Sequence, residues 1–203
     1  MSSEIKANKI SPATGTAFTL GDSGDTFTVP SGGTLAVASG ATITNSGTAT
    51  GFGGDNTPAF LAKNGNSQTV TSDANTKIVF DEEVFDTDGA FDASTNYRFT
   101  VPSGEGGKYF FYFMGKAHGN GTEKVRKVEV YVKINGSDNR MIQANNNGGY
   151  HVNLMDMNVS CLLDLSASDY VEIWGLIDSS ENSPYWESGS STYTTQFGGF
   201  KLI

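Results

Sequence analysis

The heptapeptide Lys108-Tyr109-Phe110-Phe111-Tyr112-Phe113-Met114 constrains the fold of this chain more than any other segment. Five consecutive aromatic residues favour a strand, where bulky side chains pack on a pleated surface. Successive strand side chains point to opposite faces, so Tyr109, Phe111 and Phe113 line one side and Phe110, Tyr112 and Met114 the other. An antiparallel sheet in a free-standing domain usually pairs one apolar face with one polar face. Here both faces are bulky and aromatic. One can fill the domain's own core, and the other needs cover, most economically from a neighbouring copy of the chain. Tyr109, Phe111 and Phe113, with Tyr170 and Trp174 from the later strand Tyr170–Ile177, are expected to make that contact.

The 203 residues suffice for one well-cored domain and a smaller appendage. With 25 glycines and no sustained helical period, the chain reads as all-β with many turns. A net charge of −9 with only 17% charged residues gives a mildly acidic surface rich in Ser, Thr, Asn and Gly. Nucleic acid is not an expected partner, since its binding depends on Lys and Arg neutralising phosphates. No apolar stretch approaches the length that spans a bilayer, so no membrane insertion is expected. The start, MSSEIKANKI, shows neither an apolar h-region nor a cleavage site. The single Cys161 lies in Val159-Ser160-Cys161-Leu162-Leu163 and reads as a small core residue without an intrachain disulfide partner. Synthesis in a reducing cytoplasm is the expectation, even for a protein that later works outside a cell.

Residues 1–58 and 59–203 differ in texture. In the first part, Phe18, Phe27, Leu35 and Ile43 follow one another at steps of nine, eight and eight residues. Between them GDSGD, PSGG and ASGA supply turn chemistry. Each unit is a short strand with one apolar edge, too short to bury that edge alone. An intertwined trimeric β-stem or an attachment arm is one reading; a disordered linker is the other, because Ser, Thr and Gly also dominate flexible segments. Gly51–Pro58 reads as a hinge. Beyond it, strand signals recur at Ala59–Ala62, Thr76–Phe80, Tyr97–Val101, Lys108–Lys116, Val125–Ile134, Arg140–Ala144, His151–Met155, Val159–Leu165, Tyr170–Ile177 and Gln196–Ile203. Such short strands separated by turns suggest a sandwich or barrel. Val128, Val130, Val132 and Ile134 share one face of their strand and Glu129, Tyr131 and Lys133 the other. Val171 and Ile173 point inward, with Tyr170 and Trp174 opposite.

These residues carry a resemblance. The segment FDASTNYRFTVPSGEGGKYFFYF, Phe91 to Phe113, is similar to the most distinctive stretch of the C1q/TNF superfamily, with Phe99, Pro102, Gly107, Tyr109 and Phe111 at the family's positions. Ala59-Phe60 resembles its first strand, and Val130–Gly136 a strand ending in an Asn-Gly turn. LLDLSASDYVEIW resembles the leucine strand, tight turn and return strand, with Asp169 at the acidic position, and TTQFGGFKLI resembles the terminal strand. One departure is Ser168, where many members carry Gly, which leaves the turn geometry open. The resemblance covers nearly all of residues 59–203 and implies a ten-stranded jelly roll and a symmetric homotrimer. It does not fix function, because the fold serves hormones, immune sensors and viral structural proteins alike. Residues 10–54 in turn resemble N-terminal regions of structural proteins from tailed phages, particularly those of aquatic hosts.

Chemical motifs are sparse. Ser103–Tyr109 lacks the spacing of a phosphate loop and leads into a strand. Asp86-Thr-Asp88-Gly89-Ala-Phe-Asp92 resembles half a calcium loop without the remaining oxygen ligands and terminal Glu. A solvated turn is the simpler reading, and calcium stays as the alternative because C1q-like heads sometimes bind it; no other cofactor is expected. His118 and His151 have no third histidine and no metal-binding spacing. No catalytic site stands out, and Glu82-Glu83 reads as surface. In the loop Ser179–Thr195, Tyr185, Trp186 and Tyr193 sit among polar residues and suit stacking on carbohydrate or contact with protein. The opposing reading is that Trp186 folds back onto its own sandwich. Two functions follow as expectations for a virion protein made in the host cytoplasm. One is a trimeric tail fibre or spike, joined to other virion proteins through residues 1–58 and presenting its head to a host-surface polysaccharide. The other is a trimeric capsid decoration protein. A small glycan hydrolase is a distant third.

Overall fold

A computed structural model describes residues 10–12, 14–17, 19–46, 56–121, 125–146, 152–180, 183–188 and 195–202. The chain divides into two units, Met1–Thr50 and Gly51–Ile203. The described part of the first unit is extended chain punctuated by turns, with no strand pairing.

The second unit is all-β, with thirteen strands and no helix among the described residues. They are β1 (Ala59–Lys63), β2 (Gln68–Thr69), β3 (Thr76–Lys77), β4 (Glu82–Asp86), β5 (Phe91–Asp92), β6 (Arg98–Thr100), β7 (Gly107–His118), β8 (Val125–Ile134), β9 (Ser137–Asn145), β10 (Leu154–Leu165), β11 (Tyr170–Ser179), β12 (Tyr185–Trp186) and β13 (Gln196–Lys201). The first sheet runs β2-β12-β7-β13-β1-β4, and β10 pairs with β7 along its other edge, from Leu154 opposite His118 to Leu165 opposite Gly107. The second runs β5-β6-β11-β8-β9, with β3 also on β11. Every named pairing is antiparallel.

Alternation fixes what lies between the sheets. On β10 the odd-numbered residues Met157, Val159, Leu163 and Leu165 turn inward, while Asp156, Asn158, Ser160 and Asp164 face out. Val128, Val130 and Val132 of β8 and Val171 and Ile173 of β11 close the core from the other sheet, all 1% exposed or less. The centre is a cluster of rings: Phe60 lies 4.9 Å from Phe91, 5.1 Å from Phe99 and 5.0 Å from Phe197, centroid to centroid. Two glycines make room for large rings. A Cβ on Gly199 would lie 2.5 Å from Phe111 Cδ1, and one on Gly175 would lie 2.4 Å from Trp186 Cζ2.

The sequence reading and the structure differ mainly in length and in small strands. Thr76–Phe80 is a strand only over Thr76–Lys77, and the stretch from Leu154 to Leu165 is one strand where two were expected. β2, β4, β5 and β12 were not anticipated; three of them are two residues long, and β4 is an exposed edge beginning Glu82-Glu83.

The turns follow their residues. Asn135 (φ 52°) and Gly136 (φ 79°) close the β8–β9 hairpin with both central residues at positive φ, the arrangement that matches strand twist. Ser168 is held at φ 73° in the turn Ser166–Asp169, where Asp169 N–H donates to Ser166 O at 3.1 Å. An L-residue there costs roughly 1–2 kcal/mol, and glycine's larger entropy loss on folding offsets about half of that. Ser168→Gly is therefore expected to stabilise the head by about 0.5–1 kcal/mol, read as a raised denaturation midpoint; a lowered midpoint would contradict the strain.

Candidate functional site

The outer face of the first sheet is the surface that its own chain leaves uncovered. Register sets three rows across it. Leu162, Phe110, Phe200 and Ala59 form the first, Ser160, Tyr112, Gly198, Leu61 and Phe85 the second, and Asn158, Met114, Gln196 and Lys63 the third. Leu162 is 62% exposed, Phe85 49% and Met114 44%, with Phe110, Tyr112 and Phe200 half-buried. Phe110 packs 5.5 Å from Phe200 and 6.5 Å from Tyr112. The Tyr112 ring lies across Gly198, where a Cβ would come within 2.8 Å of it. Charge is confined to the borders of the β7–β10 part: Lys108 opposite Asp164 at one end, and Lys116 paired with Asp156 at 3.5 Å at the other. An apolar centre with a polar rim is the anatomy of an association surface.

The outer face of the second sheet is different, because its own side chains complete it. Lys77 pairs with Glu172 at 2.5 Å, and Trp174 Nε1–H donates to the same carboxylate at 3.0 Å. The Lys133 ammonium sits 4.5 Å from the Trp174 ring centroid and 3.0 Å from Asp138. Lys127 bridges Glu129 and Asp73 at 3.3 and 3.4 Å, the Tyr131 hydroxyl donates to Glu129, and Arg98 covers Tyr170 at 4.0 Å. Tyr170 and Trp174 belong to this cation-capped surface. They do not join the aromatic strand's exposed face, which corrects their assignment to one contact with it.

A second correction concerns the face of β7. Tyr109, Phe111 and Phe113 are at most 1% exposed within a single chain, so they form the core, while Phe110, Tyr112 and Met114 face outward. The Tyr109 hydroxyl donates to Glu105 O at 2.6 Å, and burial pushes its pKa up to about 12. A third correction concerns Trp186. It is fully buried, edge-on to Phe113 at 5.8 Å, because β12 pairs with β7 and turns the indole inward over Gly175. Tyr185, its neighbour on the opposite side, stacks on His118 at 4.5 Å and stays half-buried. Tyr193 and His151 lie outside the described residues. Cys161 faces inward from β10, half-buried, and burial raises its thiol pKa.

The acidic loop turns its oxygens on itself. Asp86 accepts N–H bonds from Phe91 at 2.7 Å and Asp88 at 3.2 Å. The N–H groups of Thr95 and Ser94, with the Asn96 amide, hold the Asp92 carboxyl well below the usual carboxylate range. The Asn135 amide and the Ser166 N–H similarly lower Asp169. Among the described residues no three His, Cys, Asp or Glu side chains cluster to hold a metal ion. A depressed carboxyl contributes stability above its unfolded pKa, about 3.9, and that contribution is lost as pH falls toward the folded value. Asp92→Asn is thus expected to be less stable than the parent at pH 7, with the difference narrowing below about pH 4. Denaturant titrations at both pH values test this; a constant difference would contradict it.

Two antiparallel sheets with this strand order make an all-β jelly-roll sandwich. The globular domain of zebrafish complement 1qA is similar with a TM-score of 0.51 and 16% identity, over 72% of this chain and 98% of that one. Murine APRIL gives 0.51 and 12%, over 71% and 98%, and the Eiger TNF of S. frugiperda gives 0.50 and 9%, over 71% and 92%. Sequence comparison finds no matching family model and no matching curated protein.

Proposed function

We propose that the chain is a non-enzymatic structural subunit of a tailed-phage virion, a fibre- or spike-type component whose heads join as a homotrimer through the face centred on Phe110, Tyr112, Leu162 and Phe200. The observation behind the trimer is the contrast between the two outer faces: one is aromatic and uncovered, the other completed by its own ion pairs. A closed three-fold contact buries the first face on every copy. The phage assignment is supported by the resemblance of residues 10–54 to N-terminal regions of virion structural proteins. On this reading the protein is made in the host cytoplasm, and residues 1–58 join the heads to other virion proteins.

Host contact is assigned to the end of the head remote from where the chain enters it. Lys201 N–H donates to Pro58 O at 3.0 Å, so β1 starts beside the end of β13, while Tyr185 pairs with His118 at the far end of β7. Three copies of one weak polysaccharide site combine into avidity. Purified protein should then compete with phage adsorption, and Tyr185→Ala should weaken the competition without changing the oligomeric mass. No competition, together with particles that lose heat resistance when the protein is missing and carry tens to hundreds of copies, would move the protein to capsid decoration.

A further inference from the structure

The described arm residues repeat with a geometry that points to a specific partner. Turns at Asp22–Asp25, Pro30–Gly33 and Ala38–Ala41 are each closed by an N–H donated to the carbonyl three residues back, at 3.0, 2.8 and 3.0 Å. The third residue of each is a glycine at positive φ, namely Gly24 (94°), Gly32 (81°) and Gly40 (83°), preceded by Ser23, Ser31 and Ser39. Glycine is the residue for that position. Between turns, Thr26-Phe27-Thr28-Val29 and Thr34-Leu35-Ala36-Val37 alternate Thr or Ala with larger apolar residues as one-faced strands do, and Thr42-Ile43 begins a third. Phe27, Leu35 and Ile43 are 64%, 63% and 56% exposed, and Val29 and Val37 38% and 43%. None of these residues has a strand partner within its own chain.

A flexible linker has no reason to place large apolar residues and positive-φ glycines at fixed positions of an eight-residue unit. Each extended segment offers an apolar edge and an open backbone, and a partner must repeat at the same step to satisfy all three. The chain itself repeats at that step. We infer that residues 19–46 of three copies pair with one another, parallel and in register, as a self-paired β-stem in which Phe27 with Val29, Leu35 with Val37, and Ile43 form successive apolar layers. The inference rests on the homotrimer proposed for the head, which holds three identical arms together at high effective concentration and, by its symmetry, pointing the same way. It adds self-pairing of residues 19–46 to the attachment role proposed for residues 1–58.

Hydrogen exchange on the full-length chain tests it. Amides of residues 26–29 and 34–37 are expected to exchange more than tenfold slower than in the unfolded chain, and to lose that protection in Gly32→Val while the head core keeps its own. In a Cys161→Ser background, Leu35→Cys should form interchain disulfides on oxidation, whereas Ala36→Cys, on the other side of the strand, should not. A trimeric chain with an unprotected arm, or an arm protected only in assembled particles, would overturn this inference and leave the head reading standing. A monomeric wild-type chain would instead overturn the head reading.

Discussion

Leu162→Asp is expected to turn the assembled protein into a folded monomer. Leu162 is 62% exposed in the isolated head, so the substitution removes almost no packing from the fold itself. In the proposed trimer the same position, directly opposite Phe110 in its own sheet, falls within the apolar part of the contact. A carboxylate desolvated there without a partner costs several kcal/mol, and the symmetry repeats that cost on each copy. Sedimentation velocity should show loss of the larger species, while near-ultraviolet circular dichroism keeps the signature of packed aromatic rings. An unchanged sedimentation coefficient would place the contact elsewhere.

Phe111→Ala is expected to act on the fold instead. Its ring meets Phe99 at 5.4 Å, Tyr109 at 5.8 Å and Phe197 at 5.9 Å, and it is wholly buried. Removing such a ring costs about 3–5 kcal/mol, because the cavity collapses only in part. Whole-domain stabilities are about 5–15 kcal/mol, so the variant should unfold at a much lower denaturant concentration. A destabilisation below about 1 kcal/mol would be incompatible with a core position. Residues on neighbouring strands, one facing out and the other facing in, thus give opposite phenotypes, one in assembly and the other in stability.

That contrast marks where the sequence stopped being readable. Period-two alternation divided Lys108–Met114 into its two faces and showed that each was apolar, but it could not say which one the chain buries. The pairing partners decide this. Phe111 faces inward with Gly199, whose missing Cβ admits the ring, and with Cys161; Tyr112 faces outward with Gly198 and Ser160. A slip of one residue in either pairing would exchange the faces, and nothing local to β7 fixes that register. On β8 the alternation of Val with charged residues was unambiguous, and the valines are buried as expected. Trp186 was misplaced for a related reason. Its polar neighbours suggest an exposed loop, whereas a two-residue pairing with β7 and the space above Gly175, distant in sequence, draw it into the core. The short strands β2, β5 and β12 carry too few residues for any period to show.

Sedimentation equilibrium of the unmodified full-length chain tests the association face most directly. A single species of three times the 21.5 kDa chain mass, persisting on dilution to low micromolar concentration, is expected. A stable, folded species of 21.5 kDa would mean that the Phe110, Tyr112, Leu162 and Phe200 surface tolerates water, and would contradict the account.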